Sequence, residues 1–259
     1  MAPTGSLTVV GTGIQLIRQL TPEARDELER AEELLYVAAD PAMATWLAEL
    51  NPAARSLNSL YRTGVPRSLI YAEMVEEILA AVRRGSRVCA AFYGHPGVFV
   101  TPSHEAVRMA RAEGYAARML PAISAEDCLI ADLGVDPGEH GWQSYDATEL
   151  LLRGHRLDPT AAVVLWQVDA AGKLDWNLEP EPRGLHALAE HLLELYPPEH
   201  EIVFYRASLY PVASPLIERI RLDEIATLDV APGPTVYVPP LPPRPADPEL
   251  ARHLGITLS

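Results

Sequence analysis

Residues 87–99 read Arg87-Val88-Cys89-Ala90-Ala91-Phe92-Tyr93-Gly94-His95-Pro96-Gly97-Val98-Phe99. After the polar Arg87 comes an apolar run of strand length that stops at Gly94, which is typical of a buried strand that ends in a loop. In this loop the glycines permit backbone conformations that other residues avoid, and Pro96 stiffens the segment. Ligands of open α/β sheets bind just beyond the carboxyl ends of strands. The stretch therefore predicts a ligand-binding loop, with an ordinary strand-to-helix connection as the alternative.

The composition is that of an ordinary globular protein, with 259 residues of which 48% are apolar and 22% are charged. This length fits two modest domains or one large one. The 35 acidic and 21 basic residues give a formal charge of −14, which repels a phosphate backbone and disfavours nucleic-acid substrates.

No basic segment followed by an apolar core opens the sequence, and no run approaches the roughly 18 apolar residues of a membrane span. We therefore expect a cytoplasmic protein with no membrane partner. The two cysteines, Cys89 and Cys128, lack any spacing that could hold zinc, so we expect them to pack in the core and expect no metal.

The first half of the sequence alternates between strand and helix patterns, which predicts a mainly parallel sheet. Helix starts are indicated at Thr21-Pro22 and Asp40-Pro41, where a capping side chain precedes proline. The predicted strands cover residues 6–10, 34–39, 87–92 and 116–120, and the predicted helices begin at residues 22, 41, 67 and 101. The first strand leads into Gly11-Thr12-Gly13, which is only part of a dinucleotide fingerprint because Leu16 replaces its third glycine.

The second half of the sequence predicts a sheet with mixed strand directions. Residues 132–158 are rich in Gly, Asp and Pro and predict a passage into a second domain. After it come predicted strands at 161–168, 201–207 and 234–238 and one clear helix at 183–195. We therefore divide the chain into an N-terminal α/β domain (1–121), a C-terminal α/β domain with a mixed sheet (122–240), and a tail (241–259).

The long helix predicted from Arg67 to Arg84 begins with a cation at the end where the helix dipole prefers anions. Arg67 and Tyr71 are four residues apart and share a helix face, close to Tyr61 across a short turn. An unfavourable placement of this kind suggests a function, whereas the alternative is a solvated charge beside a packed tyrosine.

Four motifs together carry a resemblance: Val10-Gly11-Thr12-Gly13, the Phe92 to Phe99 string, Ala122-Ile123-Ser124-Ala125-Glu126, and Leu165-Trp166-Gln167. The combination resembles the tetrapyrrole-methylase superfamily of S-adenosylmethionine-dependent methyltransferases (class III), and within it the borosin α-N-methyltransferases, which methylate backbone amides of a ribosomal peptide. The resemblance runs from about Leu7 to Pro240. It implies two α/β domains with the cofactor in the cleft between them, S-adenosylhomocysteine as the product, and a homodimer in which one subunit helps to form the other's substrate tunnel.

The resemblance assigns catalytic roles to Tyr61, Arg67, Tyr71 and Tyr93, whose spacing fits the family without a gap. Fusion-type members have a further tyrosine where this chain has Asn58. The cofactor contacts that the resemblance implies, together with Gly11 and Tyr93, fall on His95, Val98, Phe99, Ser124, Ala125, Gln167, Tyr205, Pro234 and Thr235. Ser124 also precedes a predicted helix, whose first amides and the Ser124 hydroxyl could hold a polar group of a ligand.

Chemistry adds a role for each catalytic residue. A peptide nitrogen is a poor nucleophile because its lone pair is drawn into the carbonyl. Methylation needs a base or phenolate near the nitrogen and a cation near the oxygen, roles that Tyr71 and Arg67 fit, while Tyr61 and Tyr93 shape the pocket. Because a free tyrosine has a pKa of about 10, a neighbouring guanidinium would have to favour the phenolate.

Three other functions compete with this one. A methyltransferase acting on a cyclic tetrapyrrole would share the fold and the cofactor but would not need the Tyr61, Arg67 and Tyr71 set. An RNA methyltransferase is disfavoured by the charge. A non-catalytic module that only retains the cofactor site is the third.

The substrate is expected to be a separate precursor. Fusion-type borosin enzymes carry their substrate as a C-terminal extension, whereas Leu241–Ser259 has no run of small apolar residues. Residues 249–254 predict a short docking helix. We therefore expect a split system in which a separate precursor threads its tail into the dimer.

Overall fold

A computed structural model describes residues 4–177, 182–227 and 233–257. The chain separates into two compact units, each with its own sheet and core. Unit 1 comprises the described parts of Met1–Gly134, Lys173–Glu179 and Arg206–Leu216. Unit 2 comprises the described parts of Val135–Gly172, Pro180–Tyr205 and Ile217–Ser259. The chain therefore enters each unit more than once.

Unit 1 is built on a five-stranded sheet in which every strand pairing is parallel. Its strands are β1 (Ser6–Gly11), β2 (Glu33–Val37), β3 (Ala54–Ser56), β4 (Arg87–Phe92) and β5 (Ala116–Met119), in the order β3-β2-β4-β1-β5. The parallel sheet predicted from the alternating pattern is confirmed. Since all five strands run the same way, their carboxyl ends lie at one edge of the sheet, where α/β proteins bind ligands.

The helices of unit 1 are α1 (Pro22–Arg30), α2 (Pro41–Leu50), α3 (Arg67–Arg83), α4 (Thr101–Ala112) and α5 (Ala125–Leu133). The predicted caps are confirmed, because Thr21 and Asp40 accept hydrogen bonds from the first turns of α1 and α2. The apolar stripe of α3 is buried in the core as its periodicity predicts, through Ile70, Met74, Ile78, Leu79 and Val82. This packing fixes the helix that carries Arg67 and Tyr71.

Unit 2 holds the second sheet, which is mixed as predicted. The elements from residue 135 onward are α6 (Pro137–His140), β6 (Trp142–Asp146), α7 (Ala147–Arg153), β7 (Ala162–Trp166), α8 (Pro182–Leu193), β8 (Glu201–Arg206), β9 (Leu216–Arg221), β10 (Thr235–Val238) and α9 (Pro248–His253). The strand order is β6-β7-β10-β8-β9. Strand β6 runs parallel to β7, whereas β10 runs antiparallel to both β7 and β8.

Several details differ from the sequence-based expectation. Residues 132–158 contain α6, β6 and α7 and are not a simple passage between domains, and β3 and β9 had not been expected. The boundary expected after residue 121 falls inside unit 1, which continues through α5. One contact across that boundary joins the side-chain amide nitrogen of Gln19 to the sulfur of Cys128 on α5 (3.4 Å).

The tail belongs to unit 2 and is not a separate element. The backbone N–H of Leu241 donates to the carbonyl of Pro159 (2.8 Å), and Arg244 pairs with Asp158 (3.2 Å). The short helix expected near the end is confirmed as α9. None of the helices in the described ranges is long and apolar enough to cross a membrane.

Candidate active site

Tyr61 lies directly after a 3₁₀ turn, Asn58–Leu60, that follows the edge strand β3. Asn58 fixes this turn to the end of β2: its Oδ1 accepts from the N–H of Ala38 (2.9 Å) and its Nδ2 donates to the carbonyl of Ala38 (3.0 Å). Both ends of the amide are therefore engaged with the backbone. Asn58 therefore anchors the turn before Tyr61.

Arg67 and Tyr71 occupy the first two turns of α3, and both are half-buried. Pro66, at the N-cap, offers no side-chain hydrogen bond to the helix. The N–H of Arg67 instead donates to the carbonyl of Leu174 (3.1 Å), which belongs to a later part of unit 1. The start of the helix is therefore held by tertiary contact rather than by a local cap.

The four predicted catalytic residues form one electrostatic cluster. Loss of hydration raises the pKa of Tyr61, the phenols of Tyr71 and Tyr93 raise that pKa further, and the guanidinium of Arg67 opposes them. Loss of hydration around its hydroxyl also raises the pKa of Tyr93, with Tyr71 adding to the effect and Arg67 opposing it, although 48% of the residue's surface is exposed. Interactions of this kind fall off with distance and solvent screening. The structure thus brings together the four side chains that the sequence assigned to catalysis.

The balance of these effects decides the direction in which each pKa moves. At both Tyr61 and Tyr93 the loss of hydration outweighs the guanidinium, so both hydroxyls remain neutral at pH 7. Each is then a hydrogen-bond donor and not a base.

The glycine loop after β4 packs tightly against the end of β1. A Cβ on Gly11 would lie 2.2 Å from the carbonyl oxygen of Gly94, 2.5 Å from the Cβ of Ala122 and 2.7 Å from the Cδ of Pro96. Gly13 and Gly94 exchange backbone hydrogen bonds of 3.3 and 2.8 Å. Gly11 is therefore required because three chain segments meet there without room for a side chain.

We expect Gly11→Ala to destabilise unit 1 and to weaken cofactor binding, because the glycine loop must shift to admit the methyl group. Overpacking of this kind costs about 1–3 kcal/mol. Gly5→Ala is the matched control: its Cβ would lie 1.9 Å from the carbonyl oxygen of Val82, at the opposite end of β1. Thermal unfolding should show that both variants are less stable than wild type. Calorimetry with S-adenosylhomocysteine, at a temperature below the unfolding transitions of both variants, should show weakened binding only in Gly11→Ala. Equal affinities in the two variants would contradict the assignment of Gly11 to the cofactor site.

Within the loop, His95 turns back on its own backbone. Its Nδ1 lies 2.9 Å from the backbone nitrogen of Gly97 and accepts that N–H, while the N–H of Val98 donates to the carbonyl of His95 (3.1 Å). Since Nδ1 accepts, the neutral ring carries its proton on Nε2. Only Nε2 of His95 is then left to donate to a ligand.

Backbone strain coincides with predicted cofactor contacts. Within the described ranges three non-glycine residues have a positive φ: Ile17 (66°), Phe99 (55°) and Gln167 (56°). Phe99 closes the glycine loop and is 44% exposed, and Gln167 follows β7 in unit 2. A left-handed conformation is unfavourable for such side chains and is concentrated at ligand-binding sites.

Ser124 caps α5, as its position before the helix predicts. Its Oγ accepts from the N–H of Asp127 (3.1 Å) and donates to Oδ2 of Asp127 (2.6 Å), which also accepts the N–H of Ser124 (2.7 Å). The hydroxyl's only proton is used in this capping box, and Ser124 is 5% exposed. The hydroxyl thus donates within the cap, and the contact of Ser124 and Ala125 with a ligand stays a prediction.

The residues of unit 2 that the resemblance assigns to the cofactor share one edge of its sheet. Tyr205 lies opposite Thr235 in the register of β8 with β10, and Pro234 directly precedes Thr235. Gln167 follows β7, the other neighbour of β10. Tyr205 is fully buried and Thr235 is 6% exposed, so these two side chains leave little surface on which a ligand could bind.

A tryptophan that the sequence did not single out contacts one of the four predicted catalytic residues. The ring of Trp176 packs on that of Tyr61, with centroids 5.5 Å apart. Local sequence gives no signal for this contact, because the two residues are more than a hundred positions apart. Among the described residues there is no group of three or more His, Cys, Asp or Glu side chains placed to hold a metal ion.

A family model for tetrapyrrole (corrin/porphyrin) methylases matches residues 6–226. The chain belongs to the tetrapyrrole methylase family. Solved structures agree on the fold: uroporphyrin-III C-methyltransferase from Thermus thermophilus superposes with a TM-score of 0.64 at 20% identity, covering 91% of this chain and 92% of that one. A structure described as the same enzyme complexed with S-adenosylhomocysteine gives a TM-score of 0.61 at 19% identity, covering 91% and 97% of the two chains.

Curated relatives of this tetrapyrrole methylase family member include methyltransferase/precursor proteins of ribosomally synthesized cyclic peptides. The gymnopeptide precursor protein of Gymnopus fusipes is 39% identical over 241 residues, 91% of this chain and 57% of the relative. The omphalotin A precursor protein of Omphalotus olearius is 36% identical over 257 residues, 97% of this chain and 62% of the relative. The chain thus spans about three fifths of the length of these two relatives.

Proposed function

We propose that this protein is an S-adenosylmethionine-dependent methyltransferase that methylates backbone amide nitrogens of a peptide. The observation that carries the proposal is the electrostatic cluster of Tyr61, Arg67, Tyr71 and Tyr93, the last of which directly follows β4. The peptide precursors named in the curated relatives support the same substrate class.

The cluster supplies what amide methylation needs. An amide nitrogen becomes nucleophilic when its proton is removed and the negative charge that develops on the carbonyl oxygen is stabilised. Arg67 is a permanent cation and fits the oxygen. Tyr61 and Tyr93 stay protonated and fit as hydrogen-bond donors that shape the pocket. We assign the amide proton to Tyr71, which as its phenolate would accept this proton and become a neutral phenol.

The cofactor, when bound, supplies the electrophilic methyl group. On unit 1 we assign it to the glycine loop and to the start of α5, through Gly11, Tyr93, His95, Val98, Phe99, Ser124 and Ala125. The fit rests on the strained backbone at Phe99, and Gly11 supports it by letting the glycine loop pack against the end of β1. For unit 2 considered by itself, the family resemblance implies cofactor contacts at Gln167, Tyr205, Pro234 and Thr235.

We further propose that the methylated peptide belongs to a separate precursor protein. We assign no methylated segment to residues 241–259, because they hold no run of small apolar residues. The curated relatives named above are fusions, so a substrate in the same polypeptide is the competing arrangement.

Residues 1–259, incubated with S-adenosylmethionine and a synthetic peptide with a Val/Ile/Ala-rich tail, should add methyl groups to the peptide and none to the enzyme. Each transfer replaces an amide hydrogen by methyl, so the mass rises by one CH₂, which intact mass spectrometry resolves. Tandem fragmentation should place the added mass on backbone nitrogens. Additions to residues 241–259 would contradict a substrate in trans.

A tetrapyrrole C-methyltransferase is the second candidate, because solved enzymes with that title share the fold. Such an enzyme has no need of an amide-activating cluster. Uroporphyrinogen III and the peptide, offered separately under the same conditions, should give turnover with the peptide alone. Turnover only with the tetrapyrrole would replace the proposed function.

The family resemblance also leads us to propose a homodimer. Light scattering at micromolar concentration should give twice the mass of the 28.3 kDa chain. A fully active monomer would contradict this proposal.

A further inference from the structure

Residues 173–177, here called the strap, form a short extended segment against the turn that precedes α3. The N–H of Gly64 donates to the carbonyl of Trp176 (3.0 Å), and the N–H of Trp176 donates to the carbonyl of Val65 (3.0 Å). The third bond joins the N–H of Arg67 to the carbonyl of Leu174 (3.1 Å). These bonds flank an antiparallel bridge between Pro66 and Asp175.

The strap carries one ring into contact with the catalytic cluster. The rings of Trp176 and Tyr61 are inclined by 35° with centroids 5.5 Å apart, within the 4.5–7 Å over which aromatic pairs attract each other. Trp176 and Tyr61 also both pack against the main core of unit 1. The tryptophan is thus fixed by its backbone on one side and by the core on the other.

We propose that Trp176 is a positioning residue of the active site, whose ring holds Tyr61 in place beside Arg67 and Tyr71. The proposal rests on the proposed function. The same strap bonds the backbone of Arg67, so it fixes two of the four cluster residues at once. A cluster that is already arranged before the peptide arrives avoids the cost of ordering these side chains during the reaction.

Trp176→Ala should lower kcat for peptide methylation by about 10- to 100-fold, the cost of a misplaced reacting group, with little change in KM or in affinity for S-adenosylhomocysteine. Trp176→Phe, which keeps a ring in contact, should recover most of the rate. Trp46→Ala is the matched control, since Trp46 is a half-buried tryptophan on α2 that packs against a separate core cluster of the same unit. If Trp176→Ala does not fold, Trp176→Leu keeps apolar volume without the flat ring and should show the same loss of kcat.

A second measurement, which needs no turnover, tests the contact between Trp176 and Tyr61. Tyr61 loses hydration in the folded protein, and Arg67, Tyr71 and Tyr93 are the charged or titratable groups that act on it. Removing the Trp176 ring admits water, so the pKa of Tyr61 should fall toward the ordinary value of about 10. Phenolate absorbance is recorded against pH for Trp176→Ala and for the double variant Trp176→Ala/Tyr61→Phe, and the difference between the two curves is the titration of Tyr61 without the Trp176 ring. The difference between wild type and Tyr61→Phe gives the titration of Tyr61 with the ring present.

The turnover assay and the titration distinguish a failure of the proposed function from a failure of the positioning role of Trp176. If wild type methylates no peptide, the proposed function fails, and the titration alone decides whether Trp176 positions Tyr61. A kcat for Trp176→Ala equal to that of Trp46→Ala, or an unchanged titration of Tyr61, would overturn the positioning role.

Discussion

The Arg67→Ala protein is expected to lose peptide methylation by about 100- to 1,000-fold, the usual effect of removing a group that stabilises charge on a reacting oxygen. Arg67 is the cation that acts on both Tyr61 and Tyr93 in the cluster. Cofactor affinity should stay within a few fold of wild type, because the residue is assigned to the amide and not to the cofactor. The measurement is kcat by mass spectrometry together with calorimetry of S-adenosylhomocysteine binding.

Arg62→Ala provides the matched control. Arg62 lies in the turn just before α3, is 46% exposed at its side chain, and forms an ion pair with Glu73 (2.7 Å). A surface pair of this kind contributes little, so this variant should turn over at close to the wild-type rate. Arg67→Lys should recover only part of the rate, since an ammonium lacks the planar fork of a guanidinium. Equal rates for Arg67→Ala and Arg62→Ala would refute the role of Arg67.

Tyr71→Phe is the second large effect that we expect. If Tyr71 takes the amide proton, its loss removes general-base catalysis, which contributes about 100- to 10,000-fold. The fold should persist, because phenylalanine keeps the ring that packs against the core of unit 1. Rates are to be measured with saturating peptide and cofactor, so that the loss appears in kcat.

Tyr115→Phe tests whether removing any hydroxyl from this core has the same effect. Tyr115 is also a partly buried tyrosine packed against the same core cluster, and we assign it no role in the reaction. It should be fully active. Tyr61→Phe and Tyr93→Phe should show smaller losses than Tyr71→Phe, since we assign their hydroxyls to hydrogen bonding and that of Tyr71 to the proton transfer. A Tyr71→Phe enzyme that works as well as Tyr115→Phe would remove Tyr71 from the mechanism.

Much of the fold could be predicted because its central elements carry strong local signals. Strand β4 is a fully apolar run after Arg87, and α1 and α2 begin at capping residues followed by proline. The strands that were missed, β3, β6 and β9, are all at the edges of their sheets. Edge strands are short, polar and partly exposed, and β9 is exposed at five of its six positions, so the alternation that marks a strand is absent.

Part of the candidate site could also be predicted, because Arg67 and Tyr71 are tied by helix spacing and Tyr61 lies across a short turn from them. The inclusion of Tyr93 with these three rested on the family resemblance, since β3, the strand before Tyr61, carried no signal of its own. The sequence could not predict that Asn58 bonds to the backbone of Ala38 or that Trp176 packs on Tyr61. Both contacts join segments that are distant in sequence, and nothing in the local pattern of either residue indicates its partner.

The return of residues 173–177 to unit 1 has a consequence for how the protein acquires its site during synthesis. A ribosome that has released only Met1–Gly134 has released all five strands of the parallel sheet, so this sheet can pair early, as N-terminal domains generally do. The bonds from Gly64, Val65 and Arg67 to the strap form only after about forty more residues have emerged, and contacts of such long range are slow to close. A nascent chain at that stage has the helix that bears Arg67 and Tyr71 but not the bonds that fix its first turn. The start of α3, with the candidate residues Arg67 and Tyr71, is therefore among the last parts of unit 1 to become ordered.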